Sequence, residues 1–350
     1  MSSRTLSGIA AVLVALAVSA GCDAPSSSVD PNDLRGVFDK DAGASASASA
    51  SAAAKPRASA SAAPPAPTER APSDPGCVAA RGAPAEAQRV AGRPACRGAE
   101  VREWRDPTGA PRYGCLYTPS DLSKRGELPL LVFFHGTGPG LDDPSSIAKL
   151  TDLRKHQDSA DLTREGRPGF LVLGVQGRAL GGGGLSFDTD HTAPDNVDRV
   201  VVDHFVDELL ERKIVDARRI YAVGMGKGGE MAATYTMLRA DRVAAFAAFA
   251  PLTPSAEWIC PGPPPPGLVL YRACDKIAPC EAVESWLLAR DGQRAETRRV
   301  RLGDAGLEEP SCTVRNKCTP KKAEANHHRW PKGKEKDVLG FLGGYVLKAP

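Results

Sequence analysis

Residues 216–231 read Asp216-Ala217-Arg218-Arg219-Ile220-Tyr221-Ala222-Val223-Gly224-Met225-Gly226-Lys227-Gly228-Gly229-Glu230-Met231. A charged lead-in gives way to the short apolar run 219–223, which stops at Gly224. Past the glycines, the small residues of 230–239 have the character of a helix. Strand, glycine-rich turn and helix follow in immediate succession, the signature of an α/β unit.

The same alternation extends outward in both directions. Residues 128–134 (LPLLVFF) are a continuous apolar run ending in His135-Gly136-Thr137-Gly138-Pro139-Gly140, and 170–175 (FLVLGV) a second, ending in Gln176-Gly177. Residues 195–212 place Val197, Val201, Phe205, Leu209 and Leu210 at helical spacing. Strands are expected at 244–250, 267–272 and 300–302. Helices are expected at 280–290, stopped by Asp291-Gly292, and at 337–348. Continuous apolar strands alternating with helices mean a mostly parallel sheet covered on both faces, an α/β fold.

In such sheets function sits in the loops beyond the carboxyl ends of the strands. Here those loops are 135–140, 224–229 and the one holding Asp275. A fourth segment, Asn326-His327-His328-Arg329-Trp330-Pro331, falls between the last strand and the last helix. Oxyanion loop, elbow, acid and histidine in this order are those of an α/β-hydrolase. From about Leu128 onward the chain resembles the secreted esterase family that includes polyhydroxybutyrate depolymerases and feruloyl esterases. His135-Gly136 matches the family's HG loop, and residues 216–221 match its D-x-R-R-[IV]-Y lead-in. Residues 224–231 match its elbow, G-L-S-A-G-G-x-M. Asp275, within 273–279, lies in the acid loop, and His328-Arg329-Trp330-Pro331 matches the H-x-W-P histidine segment.

The elbow departs from the family at one position: Gly226 stands where the nucleophilic serine belongs. An acyl-transfer serine is activated by histidine and held in place by an acid. Removing such a nucleophile costs about 10⁶ in turnover in subtilisin, roughly 8 kcal/mol of barrier. Glycine nonetheless tolerates the positive φ of an elbow, so the fold can persist without the chemistry. The resemblance implies Asp275 as acid, His328 as base and Gly226 as a degenerate nucleophile position. Backbone N–H groups at Gly136, Thr137 and Lys227 would form the oxyanion hole. Other readings stand beside these. Asp275 could be a turn residue inside a disulfide loop, and His328 a surface histidine beside His327. His135 reads as a structural hydrogen-bonder, and Trp330 lines a pocket or packs. Lys227, Ser186, Thr189 or a water activated by His328 and Asp275 could substitute for serine. No metal and no cofactor is called for.

The N-terminus reads as an address. Residues 9–20 (IAAVLVALAVSA) are apolar but short for a bilayer span, and Gly21-Cys22 follows at once. Val18-Ser19-Ala20-Gly21-Cys22 resembles a bacterial lipobox, with Ser19 where that motif has Leu, Val or Ile. The division expected is a lipoprotein-type signal over 1–21, a flexible Ala/Ser/Pro-rich tether over 22–76, and an α/β-hydrolase domain over 77–350. The tether's ASASASASAAA run at 44–54 cannot bury enough apolar surface to offset its ordering entropy. The chain would then be a cell-envelope protein, periplasmic or at the outer surface, held to the membrane through lipidated Cys22.

Composition supports export and excludes one class of partner. Beyond Cys22 there are eight cysteines: Cys77, Cys96, Cys115, Cys260, Cys274, Cys280, Cys312 and Cys318. An even number in an exported chain points to disulfides. The expected pairs are the short loops Cys274–Cys280 and Cys312–Cys318, with pairing among the three N-terminal cysteines. Zinc is the alternative, but no CxxC pair is present. Residues 1–76 carry a net charge of −1, against +3 for the whole chain. That balance is no nucleic-acid footprint. The Lys332–Lys336 run reads as a solvated face. A small ester or acyl compound is the ligand class implied, on either a non-catalytic binding protein or a rewired ester hydrolase.

Overall fold

In a computed structural model, the chain is described over residues 65–349, apart from residues 74–76, 80–81, 139, 182, 305 and 313–317. The signal segment, Cys22 and the Ala/Ser run of the tether lie outside the described residues. The sheet has eight strands: β1 (Glu100–Arg105), β2 (Pro111–Tyr117), β3 (Leu128–Phe134), β4 (Leu171–Val175), β5 (Val215–Met225), β6 (Val243–Phe249), β7 (Gly267–Arg272) and β8 (Thr297–Leu302). Their order across the sheet is β1-β2-β4-β3-β5-β6-β7-β8, and β2 alone runs against the other seven. Beyond a short helical turn at Ser146–Leu150, five helices among the described residues follow in chain order: α1 (Val197–Glu211), α2 (Lys227–Leu238), α3 (Cys280–Gly292), α4 (Pro320–His327) and α5 (Glu335–Leu342). This is the α/β-hydrolase arrangement.

Alternate residues of each central strand feed two separate cores. Leu130, Val132 and Phe134 of β3 face the side packed by α1, α2 and α3, together with Ile220 and Ala222 of β5. Leu131 and Phe133 face the other side with Tyr221, Val223 and Met225, where α5 packs through Val338, Leu339 and Leu342. Burial on both faces is why these strands read as unbroken apolar runs. β1 and β2 were not anticipated, because β1 (EVREWR) is largely exposed and charged. Their turn has a recognisable cause: Asp106 Oδ1 accepts from the Thr108 and Ala110 N–H groups.

Several element ends differ from the sequence reading. α2 begins at Lys227 rather than Glu230, because the chain turns into helix directly after Gly226. α3 runs through Asp291 to Gly292 and is not stopped by them. The expected 337–348 helix is instead α5 followed by a strand at Tyr345–Leu347. That strand pairs in parallel with Thr68–Arg70. Arg70 also donates to the carbonyls of Ala240 and Val243. Ordered structure therefore begins before Cys77, inside the stretch assigned to the tether.

The disulfides are Cys77–Cys260, Cys96–Cys115, Cys274–Cys318 and Cys280–Cys312. The expected pairs Cys274–Cys280 and Cys312–Cys318 are corrected. The turn around Asp275 sends Cys274 towards the start of α4, while Cys280, the first residue of α3, is buried beneath it. Each bond thus joins a cysteine of the 274/280 pair to one of the 312/318 pair. Of the N-terminal three, Cys96 pairs with Cys115, and Cys77 reaches Cys260. Four such bonds suit an oxidising, extracellular environment. No helix among the described residues is long and apolar enough to cross a membrane. Peptide mapping without reduction should recover Cys274 joined to the Cys318 peptide; a Cys274–Cys280 peptide would contradict this fold.

His135, at the end of β3, ties that strand to the end of β4. It is fully buried, its Nδ1 lies 2.7 Å from Gly136 O, and its Nε2 accepts from the Gly177 N–H at 2.9 Å. With one nitrogen donating and the other accepting, the ring is neutral, and burial pushes its pKa down to about 4. Below the unfolded value of about 6.5 the unfolded chain takes up a proton that the native state refuses. Stability should therefore fall between about pH 6.5 and 4, by up to ~3 kcal/mol from this group. Urea unfolding of His135→Gln should start from lower stability at pH 7 and show a flatter decline through that window. An unchanged slope would remove His135 as its source.

Candidate active site

The site is built around the turn from β5 into α2. Three glycines occupy it, for different reasons. A Cβ at Gly224 would lie 2.0 Å from Gly228 O, and one at Gly228 would meet His135 O at 2.1 Å and Phe134 O at 2.2 Å. Both are required by backbone passing against backbone. Gly226 is at φ 56°, ψ −127°, a strained region for any residue with a side chain. Yet a Cβ there would crowd only the end of the His327 ring, 3.0 Å from Nε2. The elbow conformation is thus present, and its one vacant side-chain position faces a histidine.

The acid follows β7. Asp275 Oδ1 accepts from the Ile277 and Ala278 N–H groups at 2.9 Å each, which fixes the carboxylate in its turn. Oδ2 lies 3.0 Å from His327 Nδ1. Both side chains are nearly buried. With Asp275 ionised, Nδ1 carries the proton and Nε2 is left towards Gly226. This acid–histidine pair has the orientation that holds a general base in its working tautomer.

The histidine is His327 and not His328. The two are consecutive at the end of α4, where each residue turns the helix by about 100°, so only one can reach Asp275. His328 caps the helix, its ring perpendicular to that of His327 with centroids 5.1 Å apart. Its Nδ1 is buried without a partner among the described residues. Burial, and then the neighbouring His327, lower its pKa. Asn326 anchors the helix end by donating to Cys274 O at 2.8 Å and Asp304 Oδ1 at 2.6 Å. The Cys274–Cys318 bond ties the acid loop to the start of the same helix. Trp330 packs edge-on against Phe249 and donates to Glu335 Oε1.

The oxyanion candidates flank the elbow. Lys227 is the first residue of α2, so its N–H has no acceptor within the helix. Gly136 packs against Met225, where a Cβ would meet Met225 O at 3.4 Å. The Thr137 hydroxyl is engaged with Ser186 Oγ at 3.0 Å. Thr189 is buried and donates to Glu230 Oε1, and the Lys227 ammonium lies 3.1 Å from the same carboxylate. Desolvation raises the Glu230 pKa. Ser186, Thr189 and Lys227 thus each have a partner other than His327. Sequence reading missed Glu230 and Asn326. Their only signal was a polar residue inside otherwise small or charged helices. Cys280, Glu284 and Cys312 come close enough to suggest a metal, but both sulfurs are in disulfides.

No protein-family model matches the chain, and no curated protein matches it. Among solved structures it is similar to a thermostable esterase, at 17% identity and TM-score 0.48, over 72% of this chain and 64% of that one. It is also similar to the apo form of Thermogutta terrifontis esterase 2, at 18% identity and TM-score 0.45, over 61% of this chain and 86% of that one. The same enzyme phosphorylated by paraoxon is similar at 20% identity and TM-score 0.45, over 61% and 86%. The chain thus spans less than two thirds of the first of these.

Proposed function

We propose that the chain is an exported, lipid-anchored protein with a polyhydroxybutyrate depolymerase-like esterase domain, whose site binds an ester or acyl ligand without cleaving it. One observation carries this reading. Gly226 turns at a positive φ beside a His327–Asp275 pair, while position 226 has no side chain to attack a carbonyl. What survives favours binding: helix-start N–H groups for a carbonyl oxygen and a buried imidazole facing the place where an acyl group would lie. Cys22 would hold the domain to the envelope membrane.

A second reading rests on the Asp275–His327 contact. A water could give its proton to His327 Nε2 while its oxygen attacks the ester carbonyl. The tetrahedral intermediate would then expel the alcohol, which recovers the proton from His327. Such a route lacks a covalent intermediate, so it predicts slow turnover abolished by His327→Ala.

The full chain should show no turnover of short acyl esters and no labelling by a fluorophosphonate probe. Robust labelling of Ser186, Thr189 or any other hydroxyl would overturn the binding reading. Gly226→Ser should restore labelling and raise ester turnover by several orders of magnitude, towards the roughly 10⁶-fold that a nucleophile supplies. It should also lower stability by about 1–3 kcal/mol for its positive φ, and His327 must yield by a few tenths of an ångström. A folded but inert variant would show that the His327–Asp275 pair is no longer aimed at the acyl position. Expression with a radiolabelled fatty acid should label the wild type and not Cys22→Ser; equal labelling would remove the anchor.

A further inference from the structure

A cavity of about 440 Å³ lies between α3 and the segment from Thr253 to Trp258. Its lining runs along α3 from Ala282 to Gln293 and includes none of Gly226, Asp275 and His327. The cavity is therefore distinct from the candidate active site, and its size is that of a small-ligand pocket.

Its lining combines two tryptophans with a buried cation. Trp258 is buried, and its Nε1 is already committed to Gly262 O, so what remains of the ring is apolar. Trp286 is half-buried on α3. Arg290 is 2% exposed, with Nε donating to Thr297 Oγ1 at 3.0 Å and Nη2 to Pro265 O at 2.7 Å. The guanidinium lies 5.1 Å from the Phe246 ring centre and 5.6 Å from that of Trp286. Those contacts use two of its five N–H donors. No carboxylate among the described residues forms an ion pair with it; Asp291, the next residue, is paired with Arg299 and attracts it only at longer range. Glu257, in the same lining, is exposed, where solvent and salt screen its charge. Burial lowers the Arg290 pKa to about 10, which leaves it a cation at neutral pH.

A desolvated cation without an anion is costly, and a planar fork is shaped for a carboxylate. We propose that this cavity binds a small aromatic carboxylate, its anion on Arg290 and its ring against Trp286 and Trp258. The site goes beyond the ester-binding reading and does not depend on it.

Calorimetric titration of the full chain with 1-naphthoate tests it, with 1-naphthamide as the uncharged isostere. The acid should bind saturably and at least about tenfold more tightly than the amide, the difference a charge-assisted pair supplies. Ala289→Trp, which fills the cavity from an exposed position on α3, should abolish binding with circular dichroism unchanged. Arg290→Met should bring the acid's affinity down to the amide's. His327→Ala should leave binding intact. Equal affinity for acid and amide, no saturable binding, or undiminished binding to a folded Ala289→Trp would each overturn the proposal. Loss of binding in His327→Ala would move the ligand to the esterase-like site and overturn it as well.

Discussion

One close backbone approach governs the rest. Where β5 becomes α2, Gly224 and Gly228 pass so near each other, and so near the end of β3, that no side chain fits at either position. That contact forces the chain to reverse within a few residues, with residue 226 at its apex and the α2 N-terminus beneath it. Strands on either side then determine what meets the apex. β3 delivers Gly136 and Thr137 on one side, and β7 delivers Asp275 on the other.

Around this turn several constraints coincide. Asp275 is held by two backbone N–H groups, and α4 is pinned by a disulfide at its start and by Asn326 at its end. A buried acid–histidine pair costs stability. Gly226 relieves the strain at the apex itself, because glycine adopts a positive φ without a steric penalty. The neighbouring constraints, by contrast, remain at full cost.

Much of this was legible from residues alone. The apolar runs at 128–134, 219–223 and 267–272 gave strands because both sheet faces are buried. The spacing of Val201, Phe205 and Leu209 gave α1. The glycines and the loop order indicated the elbow and Asp275. Three features were not legible. Adjacent His327 and His328 differ only in helical phase, which depends on where α4 ends and what Asn326 binds, and no local pattern carries that. β1 escaped because its outward-facing charges hide the alternation. The cysteine pairs escaped because spacing along the chain says nothing of which cysteines the fold brings together.

Those crossed pairs bear on how the chain matures. In an oxidising compartment, loop-closure statistics favour joining Cys274 to Cys280 and Cys312 to Cys318, each only six positions apart. The native bonds instead close separations of 44 and 32 residues. A chain that oxidises by proximity falls first into the local pairing and leaves it only through thiolate attack on a formed disulfide. Biogenesis of the acid–histidine region is thus coupled to thiol-exchange capacity where the protein folds, and a host short of disulfide isomerase would accumulate it oxidised but mispaired.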